Sequence, residues 1–288
     1  MQRLFCLALG ILMVLGLCAC SSESSPAWPS VASPSPTAFS GESTTAATEY
    51  ITVPETLTTQ PEPVQTEPPP PEHSALYLPQ VSQEEMIRYF NEVVLSIEYS
   101  TGSGDPTLVQ KWTCPIQYTI SGDATQEDLV VLRSLFDALN EIEGFPGIYE
   151  ATELSPANLT IHFMDSDALQ LAFSDILHGE IADGAVQFWY HTDTNEIYSG
   201  RIGYRTDIDQ SLRNSVLLEE IVNLLGLNDT ILREDSIVYQ YGSNITALSD
   251  VDWVILKLLY AQEILPGFSE SQCRPILEQL YYEKENRK

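Results

Sequence analysis

Positive charge is what this 288-residue sequence has least of: 13 Lys and Arg stand against 41 Asp and Glu, a formal net charge of −28. Nucleic acid and anionic lipid headgroups both need cationic surface, so neither suits it as a partner. Cationic partners and hard metal ions stay compatible, as does a plain solvated extracellular surface. No apolar run is long enough for a comfortable membrane span; the longest, residues 4–17, falls short of the ~20 residues that a spanning helix needs. Also missing are a glycine-rich phosphate loop, a paired-cysteine motif, a nucleophile-elbow sequence, any Ser and His spacing that would nominate a triad, and internal repeats.

The first twenty residues, MQRLFCLALGILMVLGLCAC, place one cation, Arg3, ahead of the apolar run and end in Leu17, Cys18, Ala19, Cys20. That ending resembles the lipobox of bacterial lipoproteins. The resemblance implies removal of residues 1–19 as a signal peptide and diacylation of Cys20, a lipid anchor on the extracytoplasmic face of the cell membrane. Each buried methylene contributes about 0.8 kcal/mol, so two or three chains hold firmly. A plain signal cleaved near Ala19 and an uncleaved anchor are the alternatives.

Composition then changes. Residues 20–80 contain 12 of the 18 prolines, many Ser and Thr, seven Glu, and no Lys or Arg. Such a segment cannot bury enough apolar surface to offset its ordering entropy, which predicts a disordered stalk. At about 3.1 Å per residue in polyproline geometry it could reach on the order of 180 Å. Residues 81–288, with 12 Lys and Arg against 34 Asp and Glu, suffice for one domain with a substantial core. After processing, Cys114 and Cys273 are the two cysteines of that domain. They are a disulfide pair outside the membrane, or else two ordinary core thiols.

Within the domain, Ser82 and Glu85 form a capping box. Met86, Tyr89, Phe90, Val93, Val94 and Ile97 follow at helical spacing. Period-two alternation of Trp112, Cys114, Ile116, Tyr118 and Ile120 predicts one strand. A second helix opens at Thr125 and runs along Leu129, Leu132, Leu135, Phe136, Leu139 and Ile142 to Gly144. Strands are expected at 148–153 and 159–164, a short helix in DSDALQLAFSDI, and a hairpin of AVQFWYH and IYSGRIGY across TDTNE. Helices near 210–225, 249–259 and 269–282 complete the order. The pattern is that of an α/β (α+β) domain with a mixed sheet covered by helices on one face, and a C-terminal helical part. In QFWYH, Phe188 and Tyr190 share a face and Trp189 takes the other. An exposed Trp189 could bind a peptide or glycan, and a buried one is core.

One stretch carries more chemistry than the rest. In EEIVNLLGLND, Glu219 and Asn223 stand at i and i+4, Glu220 beside the first, Gly226 three residues after the second, and Asp229 three further. Zinc peptidases place two histidines at that i, i+4 spacing because it sets both imidazoles on one helix face. Downstream, Ser236, Ile237, Tyr239, Leu248, Ser249, Asp252, Leu259 and Tyr260 continue the same pattern, with Val238 where a methionine would lie under the metal. From Glu219 to Tyr260 the chain resembles the metzincins, whose motif is here degenerate. The resemblance implies a metzincin-like fold. EE, a polar residue, LG and ND, followed by Pro266 and Gly267, also resemble a domain family of unknown function in predicted bacterial lipoproteins.

The departures bear on chemistry. Glu219, Asn223 and Asp229 offer two carboxylates and an amide where zinc prefers imidazole and thiolate, so neither a zinc cofactor nor catalysis is expected. Such donors suit a hard ion such as calcium, which wants six to eight oxygens. Glu220 holds the position of the catalytic base and is the one weak catalytic candidate. His162, His178 and His191 occupy no motif position. A solvated helix face is the plain alternative, since Leu217, Ile221, Leu224 and Leu225 cluster opposite Glu219 and Asn223. The expectation is a membrane-anchored lipoprotein whose domain binds a peptide, a protein or a cell-wall component without catalysis. The alternatives are a hydrolase with a rearranged site using Glu220, and a structural envelope lipoprotein.

Overall fold

The computed structural model describes residues 74–95, 107–179, 181–241 and 245–282. The signal segment, Cys20, nearly all of the stalk and Ile97 lie outside the described residues. The described elements run α1 (Gln83–Leu95), β1 (Lys111–Trp112), β2 (Ile116–Gly122), α2 (Gln126–Asn140), β3 (Ile148–Glu150), β4 (Leu159–Met164), α3 (Ser166–Ala172), α4 (Ser174–Leu177), β5 (Gly184–Tyr190), β6 (Glu196–Arg205), α5 (Gln210–Leu224), α6 (Asp250–Tyr260) and α7 (Glu270–Leu280).

Side-chain caps set where the helices begin. Ser82 and Glu85 bond reciprocally ahead of α1, Thr125 and Asp128 ahead of α2, and Ser249 and Asp252 ahead of α6. Each box satisfies backbone N–H groups that the first turn leaves without helical partners. Residues 74–80, which composition assigns to the stalk, pack on the folded unit instead. The Tyr77 ring lies 5.4 Å from that of Tyr281, whose hydroxyl accepts from Leu78 N at 3.1 Å and donates to Val81 O at 2.7 Å. Ser74 N donates to Tyr282 O at 3.0 Å. Proline-rich chain stays loose where it has nothing to dock on; here the C-terminal residues give it a partner.

The fold is mixed α/β. Neighbouring strands follow the order β3, β2, β4, β6, β5, with β2, β3, β4 and β6 parallel and β5 antiparallel at the end. The alternation from Trp112 to Ile120 predicted one strand, and the structure divides it in two. β1 pairs with the start of β6, whereas β2 pairs with β3 and β4. Pro115 stands at the break, without an N–H to give the ladder, and Cys114 turns outward.

Both faces of the sheet carry helices near β5 and β6, a correction to the expected single covered face. On one face lies α5, where the Tyr204 hydroxyl donates to Leu217 O at 3.0 Å and Leu224 packs over Gly200. On the other lie α3 and α4, with Leu169 and Phe173 against Gly203. The main core, on the α5 side, takes in Ile161, Phe163, Ile202, Val216, Ile221 and Leu259, all at 2% exposure or less. Fully burying one such side chain contributes roughly 1.5–3 kcal/mol.

Candidate functional site

Helix α5 brings the motif positions together. It is buried on all sides from Ser215 to Leu224, with Glu219, Glu220 and Asn223 each 3% exposed and Asp229 9% exposed. A solvated polar face is therefore not what these residues form. The reason is that α5 is enclosed: the sheet lies along it, α2 packs beside it, and the chain after Gly226 returns to it. Trp112 Nε1 donates to Leu224 O and the Tyr260 hydroxyl to Leu225 O, each at 3.0 Å. Carbonyls that a helix end leaves unpaired are satisfied inside the protein, so the end of α5 can be buried.

Gly226 makes the turn. Its φ is +105°, and a Cβ there would stand 2.2 Å from Gln110 O, so only glycine permits this course. The turn returns Asp229 to the helix, where Asn223 Nδ2 donates to Asp229 Oδ1 at 3.1 Å. Glu220 lies toward the sheet. A Cβ on Gly184 of β5 would be 2.6 Å from Glu220 Oε1, so the glycine lets this carboxylate approach the strand backbone. Burial, and then the nearby Glu220 and Glu219 carboxylates, push the Tyr204 hydroxyl well above the ordinary tyrosine range.

The downstream positions form one hydrogen-bonded knot. Asp252, 1% exposed, accepts from Ser236 Oγ at 2.6 Å and Ile237 N at 3.1 Å, and from Ser249 N at 2.8 Å and Ser249 Oγ at 2.9 Å. Burial pushes its carboxyl up, and the hydrogen bonds from Ser236, Ser249 and Ile237 oppose that rise. Val238, fully buried, has its carbonyl on Thr230 N at 2.8 Å, and Thr230 Oγ1 donates to Glu92 Oε1 of α1 at 2.9 Å. The residues matched in the sequence, from Ser236 to Asp252, are thus the ones that fasten the loop beyond Asp229.

The family described as "Protein of unknown function (DUF2927)" matches the chain over residues 83–279. The chain belongs to this family. No curated protein matches it. The match runs from the start of α1 into the last turn of α7, so the whole α5 site and its supporting knot fall within the DUF2927 domain.

The domain's histidines are engaged elsewhere. His162 Nδ1 lies 2.7 Å from Ser121 Oγ across β4 and β2, and burial, then Arg201, hold its pKa down. The His191 ring stacks 4.5 Å from that of Tyr198, and His178 ends α4 in a left-handed conformation. Among the described residues, no group of three or more His, Cys, Asp or Glu is placed to hold a metal ion. Of the two readings for Cys114 and Cys273, the disulfide is not formed, and only one of the two is a core thiol: both are free, Cys114 exposed at the β1 to β2 corner and Cys273 buried in α7. Buried beside Cys273, Lys111 donates to Leu259 O at 2.9 Å, Ala261 O at 3.3 Å and Ile264 O at 2.5 Å, closing the end of α6.

Two features had no forecast. Asp128, fully buried, accepts from Arg213 Nε at 2.8 Å and Gln210 Nε2 at 2.5 Å, joining the starts of α2 and α5. Arg201 Nη2 meets both oxygens of Asp175 at 2.8 and 2.9 Å, Nε donates to Gln187 at 2.7 Å, and the guanidinium lies 5.9 Å from the Trp189 ring centroid. Trp189 itself is 38% exposed, so its ring reaches solvent at the end of β5. Neither network follows a spacing rule, because its members come together only through the sheet order.

Proposed function

We propose that this DUF2927 protein is a membrane-anchored extracytoplasmic lipoprotein whose domain is a metzincin-like scaffold without zinc ligands, and that it binds an extended peptide, a protein segment or a cell-wall component without catalysis. The observation that carries this is the hydrogen bond from Asn223 to Asp229. Two of the three positions that the peptidase pattern gives to metal ligands are bonded to each other in a buried setting. A carboxylate already engaged by an amide N–H, with no imidazole beside it, is a poor start for a zinc site. With glutamate and asparagine where the pattern has imidazoles, Glu220 at the base position would have no zinc-bound water to deprotonate.

Further support comes from the surroundings. Four parallel strands with one antiparallel edge strand beside the motif helix, the Gly226 turn and the Asp252 knot are what such a scaffold requires. Strand β5 pairs only with β6 among the described residues, which leaves its other edge with N–H and C=O groups for an added strand. The exposed Trp189 ring offers an apolar surface at the end of that strand. Among the described residues, no helix is long and apolar enough to cross a membrane. The proposed anchor is the lipid on Cys20, which rests on the lipobox-like ending at residues 17–20. Amide exchange in the full chain tests the ligand face. Slowing confined to residues 184–190 on adding extended peptides or a wall digest supports it, and unchanged exchange contradicts it. Loss of acyl labelling and of membrane fractionation in Cys20→Ser tests the anchor.

The position of Glu220 against Gly184 favours a second reading, a hydrolase with a rearranged site, with Glu220 as base and Asp229 among its ligands. A Glu220→Gln variant that retains every hydrolytic activity of the parent chain excludes it.

A further inference from the structure

The face of the sheet away from α5 is covered only in part. Ile120, Leu159, Ile161 and Ile202 point to the main core, so alternation turns Gln117, Thr119, Thr160 and Arg201 to the opposite side. There α3 and α4 pack over the Gly203 end. Beyond it, Thr119 is exposed and Gln117 and Thr160 are half-buried, so this stretch of the sheet reaches solvent. Two rows of residues cross it. In one, Thr119, Thr160, Arg201 and Gln187 are register partners in turn. The next begins at Tyr149, the partner of Gln117, and ends at Trp189, the partner of Ser199. Asn158 joins its halves, with N donating to Gln117 O and O accepting from Gly200 N, each at 2.9 Å.

This second row has an aromatic ring at each end, Tyr149 at 52% exposure and Trp189 at 38%. Four strand spacings, about 19 Å, separate the two strands that carry them. Tyr149 lies back over Gly147, where a Cβ would run into the ring, and Trp189 lies beside Arg201. Arg201, the one charge in either row, is already paired with Asp175. The rows are thus free of unpaired charge in a domain with 34 Asp and Glu to 12 Lys and Arg. Backbone N–H and C=O groups here are spent in the ladder, which leaves hydroxyls, amides and two rings to meet a ligand. A sugar chain supplies their complement, hydroxyls that give and take hydrogen bonds and apolar ring faces that stack on Tyr and Trp. A polyanion is repelled by the acidic domain, and a polycation finds no carboxylate in the rows. We propose that this face binds an extended, neutral, β-linked glycan chain laid across the strands from Tyr149 to Trp189. The proposal rests on the wall-component form of the reading above, and uses side chains of the sheet face where a peptide would use the backbone edge of β5.

The test is calorimetry on the full chain in detergent with chitohexaose, chitobiose and maltohexaose. Chitohexaose is long enough to meet both rings. It is expected to bind about tenfold more tightly than chitobiose, which meets one, and than the coiled, α-linked maltohexaose. Tyr149→Ala and Trp189→Ala, both at exposed positions, are each expected to weaken chitohexaose about tenfold, and the two losses to add in the double variant because the sites are far apart. Chitohexaose binding unchanged in both variants overturns the face and leaves the wall-component reading standing. A loss confined to one variant, or equal affinity of the parent chain for all three sugars, overturns the bridging chain. No sugar binding, with amides 184–190 slowed by an extended peptide, overturns the glycan and leaves the β5 edge. No sugar binding and no slowing overturns both. Self-association of the parent chain that the two variants abolish, read by sedimentation, gives the face to a second copy and overturns the glycan.

Discussion

Asn223 Nδ2 lies 3.1 Å from Asp229 Oδ1, joining the last turn of α5 to the loop beyond Gly226. If that loop and helix preserve the spacing of a metal site, imidazoles at 219 and 223 should restore one. The double variant Glu219→His with Asn223→His is expected to bind zinc stoichiometrically with Asp229 as third ligand, read by metal analysis after dialysis. A folded double variant that takes up no zinc would show that the i, i+4 pair and Asp229 do not converge. Asp229→Leu alone strands the Asn223 N–H and is expected to cost about 1–3 kcal/mol in urea unfolding.

Gly226 is the position least tolerant of change. Alanine there meets Gln110 O at 2.2 Å and must hold φ at +105°. The conformation alone costs roughly 1–2 kcal/mol, and the backbone contact adds to it. Gly226→Ala is expected to lower the urea midpoint sharply or prevent folding, and a parent-like midpoint would contradict the turn.

The buried pair of Asp128 and Arg213 predicts an asymmetry. Arg213→Met leaves a buried carboxylate without its cation and is expected to cost about 3–5 kcal/mol, while adding Asp128→Asn, which removes the charge and keeps an acceptor for Thr125 N, should recover part of the loss. Burial opposes ionisation of Asp128, but hydrogen bonds from Arg213, Gln210 and Thr125 hold its carboxyl below the usual range. A depressed folded pKa means that the unfolded chain takes up the proton first. The pair's stability is therefore present above the ordinary aspartate range and lost as pH falls through the lower folded value. Acid titration of the parent and the double variant, followed by circular dichroism, checks this: the parent alone should lose stability on this account.

Lys111 gives a prediction at the alkaline end. Burial lowers its ammonium from 10.5 to about 8, so between those values the unfolded chain binds more protons and stability rises with pH. Burial raises the neighbouring Cys273 thiol from 9 to about 11, which makes stability fall across that interval. Between pH 8 and 9 this opposition is smallest, roughly 0.4 kcal/mol against a Lys111 gain of about 1 kcal/mol. Urea unfolding at both pH values should show the gain in the parent chain and its absence in Lys111→Met. Cys273→Ala should extend the rise beyond pH 9.

How much of this was legible in the sequence depended on the range of the interaction. The capping boxes at Thr125 with Asp128 and Ser249 with Asp252 are local, and both were readable because their partners are three residues apart. The break at Pro115 was masked by apolar alternation that continues through it, although the missing N–H was there to be read. The burial of Glu219 and Asn223 was not legible. Helical projection sees one face of α5 as polar, and the packing that makes it interior, including the return of Asp229 to Asn223 after Gly226, is long-range. Likewise, nothing in the spacing announced that Gly184, 36 positions before Glu220, would leave room for its carboxylate.

The central claim is that the scaffold persists here without zinc chemistry. Its most direct test is the metal content of the purified full chain, measured together with peptidase activity with and without a chelator. The account predicts substoichiometric zinc and no chelator-sensitive cleavage. Stoichiometric zinc with cleavage that a chelator abolishes would contradict it.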